Sequence, residues 1–90
     1  MTFEGYTIIF NGEIYNLTEL KKKIYSKGLK LKTNSDTEAI LKMYMIFGTE
    51  CTKYFDGMWS FAIYDSSKEL VFISRDRIGE KPLYFFNKKN

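Results

Sequence analysis

Histidine is absent from the 90 residues, and cysteine occurs once. Without an imidazole the chain lacks the commonest general base and metal ligand. One cysteine cannot build a zinc site by itself, so no metal centre is expected. Cys51 can form no internal disulfide, which suits a reducing compartment. No apolar run approaches the roughly 18 residues of a membrane-spanning helix. No signal-peptide pattern opens the chain. A cytoplasmic location and no membrane partner are therefore expected. Charge of one sign is scarce as well: the net charge is +3, too small an excess to argue for a nucleic-acid partner.

What the chain does have is apolar and aromatic bulk, at 44% hydrophobic and 18% aromatic residues. That composition excludes disorder. Ninety residues allow one domain, 1–90, with modest stability.

Residues 5–10 read as a strand, with Tyr6, Ile8 and Phe10 on one face and Thr7 and Ile9 on the other. Both faces are largely apolar, which suits a strand covered on both sides. It feeds into Asn11-Gly12, a pair that tolerates positive φ and signals a turn at a strand end. The same pair has a second reading. A glycine leaves backbone N–H groups open and the asparagine adds an amide donor, which are the parts of an oxyanion hole. Asn16-Leu17-Thr18-Glu19 fits a capping box for a first helix, closed by Gly28. Residues 29–33 alternate as a short strand or extended link. Ser35-Asp36-Thr37-Glu38 is a second capping box, and Gly48 closes its helix. Asp36 there either compensates the helix dipole or holds out a carboxylate to a cation such as an amino group. Residues 50–55 form a linker of about one helical turn, where Cys51 has no base beside it and is expected to be inert. Residues 58–65 and 70–73 read as a hairpin of strands, and 83–86 as a further strand. Between them lies the polar, turn-rich block Arg75-Asp76-Arg77-Ile78-Gly79-Glu80-Lys81-Pro82, in which Arg75 and Asp76 are expected to form a scaffold salt bridge.

Four blocks occur in order: Asn11-Gly12-Glu13-Ile14-Tyr15-Asn16, Ser35-Asp36-Thr37-Glu38, the run from Gly57 through Trp59 and Phe61 to Asp65, and the run from Arg75 through Pro82 to Tyr84. The series resembles the glutaminase domain of glutamine-hydrolysing asparagine synthetases, which are class II (type 2) glutamine amidotransferases with an N-terminal cysteine nucleophile. The resemblance implies hydrolysis of glutamine to glutamate, with ammonia passed to a synthetase domain that makes asparagine from aspartate and ATP. It places Asn11 and Gly12 in the oxyanion hole. Gly12, Glu13 and Asp36 would bind the glutamine, Asp36 through its α-amino group. No cofactor is implied for this domain; ATP and magnesium would belong to the synthetase domain.

The match also has gaps. The family's N-terminal cysteine, its Arg-Gly-Pro-Asp stretch and the whole synthetase domain have no counterpart here. The resemblance therefore implies a partial domain, inactive alone, whose partners are glutamine and the missing segment or synthetase subunit. The alternative is a catalytically inactive binding or interaction module. A third reading lays residues 57–64 on an RNA-recognition signature, but Gly57 and Met58 depart from it, so no nucleic acid is expected.

The expected fold is α+β: a mainly antiparallel sheet with two helices on one face. By resemblance it is part of the αββα sandwich of N-terminal-nucleophile hydrolases. Ile8, Phe10, Trp59, Phe61, Ile63, Val71 and Ile73 offer more apolar surface than two helices cover, so self-association is expected.

Overall fold

The computed structural model describes residues 2–75 throughout and residues 83–87 as a backbone strand. Five strands form one antiparallel sheet in chain order: β1 (Thr2–Phe3), β2 (Tyr6–Ile14), β3 (Gly57–Asp65), β4 (Leu70–Arg75) and β5 (Leu83–Asn87). Helices α1 (Leu17–Ser26) and α2 (Asp36–Phe47) and a 3-10 helix (Gly48–Tyr54) are inserted between β2 and β3. The α+β expectation holds, and both helices lie on one face. Arg75 ends β4, whereas the remainder of its block and the chain after Asn87 lie outside the described residues.

Period-two patterning explains the layers. Ile8 and Ile14 of β2, Trp59, Phe61 and Ile63 of β3 and Phe72 of β4 are buried beneath the helices. Leu20 and Ile24 of α1 meet them at helical spacing, and α2 is buried at every residue from Glu38 to Tyr44. Residues in alternate positions point to the other face, where Ile9, Met58 and Ile73 are 72%, 60% and 39% exposed. The strand residues expected to overfill the helices are thus divided. Ile8, Trp59, Phe61 and Ile63 are covered, and the open apolar face belongs to Ile9, Met58 and Ile73. Among the described residues no helix is long and apolar enough to cross a membrane.

Three local expectations change. Asn11-Gly12 is not a turn: β2 continues to Ile14 because β3 offers it nine partners in register, from Tyr6↔Asp65 to Ile14↔Gly57. Of the two readings of residues 29–33, the link holds and the strand does not. The Glu38 carboxylate accepts the N–H groups of Lys32 and Thr33 at 2.8 and 2.7 Å and the Thr33 hydroxyl at 2.8 Å, which takes their donors out of any ladder. Burial works against the charge of Glu38, but those hydrogen bonds outweigh it and hold its pKa low. Asn16 does not cap α1 with its side chain. Its amide instead donates to Tyr54 O at 2.8 Å and accepts from Asp56 N at 2.9 Å, clamping the end of β2 to the loop before β3. The second cap does form, with Ser35 Oγ accepting the Glu38 N–H at 3.2 Å.

One strand went unread in the sequence. β1 folds back on β2 through Glu4 and Gly5, both at positive φ (47° and 89°), the two-residue loop that suits a twisted hairpin.

Candidate functional site

The site gathers at the far end of β2. Asn11, Gly12 and Glu13 lie opposite Ser60, Trp59 and Met58 of β3. The side chains of Asn11 and Glu13 stand on the open face and make no hydrogen bond to a described residue. Asn11 is therefore free to donate its amide outward. Ser60 pairs with Asn11 on one side and with Arg75 on the other, so a polar row crosses three strands on that face. Ser60 and Arg75 were not singled out as site residues, because their nearness to Asn11 depends on strand register and no local pattern encodes it.

Gly12 is required at its position. Its φ is +133°, and a Cβ there would collide with the Met58 carbonyl oxygen and come within 2.9 Å of Trp59 Cα. Gly57 repeats the arrangement from the facing strand, at φ +149° and against the Glu13 carbonyl. Two glycines thus let β2 and β3 approach closely beside the candidate site. Beneath it, the Trp59 indole donates to the buried Ser74 hydroxyl at 3.1 Å, pinning the residue opposite Gly12.

Asp36 comes to this same strand end from α2. Its Oδ2 accepts the Ile14 N–H at 3.0 Å. Its other oxygen has no hydrogen bond to a described residue, and the side chain is half-buried. Ile14 thus directs its N–H to the outer edge of β2, and Tyr15 directs its own inward to Asp56 O at 2.6 Å. By the alternation of a β-ladder, the Gly12 N–H faces the same outer edge as Ile14. β1 pairs only with Tyr6 and Thr7, so no described strand covers that edge beyond them. An amide side chain, an edge backbone N–H and a carboxylate therefore lie at one strand end. Such a set can hold a developing oxyanion and a cationic amine.

Among the described residues the one cysteine stands apart from this set. Cys51 is fully buried on the 3-10 helix, and burial pushes its thiol up to about 12. It is a core residue, a position that its place in an expected linker did not suggest.

Comparison with known proteins identifies the family and the fold. The glutamine amidotransferase domain family matches over residues 1–90. A protein named putative asparagine synthetase [glutamine-hydrolyzing] 2, from Methanocaldococcus jannaschii, is 52% identical over 79 residues, covering 88% of this chain and 15% of its own length. Asparagine synthetase [glutamine-hydrolyzing] 3 of Bacillus subtilis is 38% identical over 86 residues, covering 93% of this chain and 14% of its own. The chain thus spans about one seventh of the length of these curated relatives. Among solved structures, the glutamine phosphoribosylpyrophosphate amidotransferase of B. subtilis, complexed with ADP and GMP, superposes with a TM-score of 0.66 at 17% identity, covering 89% of this chain and 21% of that one. That likeness is one of fold.

Proposed function

This chain belongs to the glutamine amidotransferase domain family, and from that premise we propose that it forms part of the glutaminase of an asparagine synthetase-like enzyme. The observation that carries the reading is the meeting of Asn11, Gly12 and Asp36 at one end of β2. Glutamine would lie along that edge with its α-ammonium on the free oxygen of Asp36 and its side-chain amide toward Asn11 and Gly12. Glu13, exposed beside them, is available to its polar groups. A thiolate from outside these 90 residues attacks the amide carbon, and the carbonyl oxygen gains negative charge. The Asn11 amide and the Gly12 N–H take up that charge. The proton that the thiol gave up goes to the amide nitrogen, the C–N bond breaks with loss of ammonia, and the thioester left behind is hydrolysed by water to glutamate and the free thiol. In the whole enzyme the ammonia would go on to form asparagine from aspartate and ATP.

The proposed setting follows from the same reading. The enzyme works in the cytoplasm, as the single cysteine suggests. The open face around Ile9, Met58 and Ile73 is covered by the remainder of the domain, and the 90-residue chain alone covers it by self-association. Light scattering at micromolar concentration should then give a mass above 10.7 kDa.

Fusing the chain behind a segment that begins Met-Cys and carries the Arg-Gly-Pro-Asp stretch should give ammonia release from glutamine. In that protein Asn11→Ala should lower kcat by roughly 10²–10³, the usual loss for one oxyanion donor. An active fusion whose rate is indifferent to Asn11→Ala would overturn the assignment.

A further inference from the structure

β1, the link before α2 and the first turns of α2 enclose a cleft of about 170 Å³, which none of the site residues Asn11, Gly12, Glu13 or Asp36 lines. Its walls include Phe3, Lys32, Thr33, Glu38, Leu41 and Lys42. Lys42 is the member that calls for explanation. It is only 5% exposed; its ammonium makes no hydrogen bond or ion pair with any described residue, although the Glu38 carboxylate attracts it through space. Its Nζ stands 3.8 Å from the centre of the Phe3 ring, and Lys32 Nζ approaches the same ring at 5.5 Å. The nearby acceptor, the Glu38 carboxylate, is already taken by two backbone N–H groups and the Thr33 hydroxyl.

An aromatic face attracts a cation without satisfying all of its donors. The ammonium has three N–H groups and still reaches water at the mouth of the cleft, where an anionic acceptor can meet it. Phe3 and Leu41 make the rest of the cleft largely apolar. We propose that this cleft binds a small carboxylate with an apolar body: the carboxylate accepts from Lys42, with Lys32 at the rim, and the body lies against Phe3 and Leu41. Cavities of about 150 Å³ accept a benzene ring, which sets the size of that body. The negative charge of Glu38 in the wall favours a monoanion over a dianion.

Benzoate is the probe and benzamide its neutral isostere, titrated into the ¹⁵N-labelled 90-residue protein. Saturable benzoate shifts are expected at the Phe3, Thr33 and Lys42 amides, with Asn11, Gly12 and Ile14 unmoved. Benzamide should bind about tenfold more weakly or worse, the scale of one charged hydrogen bond. Lys42→Met, which keeps the stem and removes the charge, should weaken benzoate similarly. Equal binding of benzoate and benzamide, unchanged benzoate binding in Lys42→Met, shifts centred on Gly12, or no saturation at all would each overturn the proposal. Should Lys42→Met fail to fold, the isostere pair on the unaltered chain decides it.

Discussion

The Asp36 carboxylate accepts the Ile14 N–H at 3.0 Å, joining the first residue of α2 to the last residue of β2. One oxygen therefore serves the fold and the other is left for a ligand. Two substitutions separate the roles. Asp36→Asn keeps an acceptor for Ile14, so thermal stability should hardly change while affinity for an α-ammonium group is lost. Asp36→Ala also strands the Ile14 N–H, at a cost of roughly 1–3 kcal/mol. Melting curves of the two variants check this; equal destabilisation would show that the Ile14 bond is not what Asp36 holds.

Glycine substitutions should split by what lies in front of them. At Gly28, φ is +87° but nothing stands within 4 Å of a Cβ, so Gly28→Ala should cost only the backbone strain, roughly 1–2 kcal/mol. At Gly12 the strain adds to a collision with the Met58 carbonyl. Gly12→Ala should cost several times more and separate β2 from β3. Denaturant titration of both proteins gives the comparison, and similar midpoints would contradict it.

Asn16 offers a test of clamp against cap. Asp is as good as Asn at a helix N-cap, so a capping role makes Asn16→Asp neutral. The clamp uses both halves of the amide, and Asp cannot donate to Tyr54 O. Asn16→Asp should therefore cost about 1 kcal/mol, read as a shift in the urea midpoint. A neutral result would return Asn16 to the cap.

The fold should also lose stability in alkali. Burial, then the Asp65 carboxylate, push the Tyr44 phenol from 10.0 to about 12, and burial takes the Cys51 thiol from 9.0 to about 12. Both pKa values are raised in the folded state, so the unfolded chain ionises first. Their contribution is full below about pH 9 and is lost as pH rises toward 12. Melting temperature should fall across that window, less steeply in Tyr44→Phe. Identical slopes would remove Tyr44 as a cause.

The strands β2, β3 and β4 and both helices were legible in the sequence because their apolar residues recur at two or at three and four. The site residues were legible as types in a known order. Their geometry was not. Asn11-Gly12 reads locally as a turn, and only the nine-residue match with β3 keeps it extended. The capping pattern at Asn16 is real as a pattern, but tertiary partners at Tyr54 and Asp56 took its side chain. Glu38 likewise serves the link before its helix and leaves its own cap to Ser35. Each difference comes from a partner distant in sequence or from a carboxylate competing for backbone donors, neither of which a local window contains.

The register of β2 with β3 also sets an order of events during folding. Ile14 meets Gly57, so both helices lie inside the loop this pairing closes. Closing a loop of roughly forty residues costs about 3 kcal/mol of chain entropy before any contact repays it. The β3–β4 hairpin needs only a short turn. It is expected to form first, with β2 docking once α1 and α2 have shortened the path. Asn11, Gly12 and Glu13 ride on the strand that arrives last. The oxyanion donors would then exist only in the finished fold, and pulse-labelled amide exchange should show Ile8 and Phe10 protected after Ile63 and Phe72.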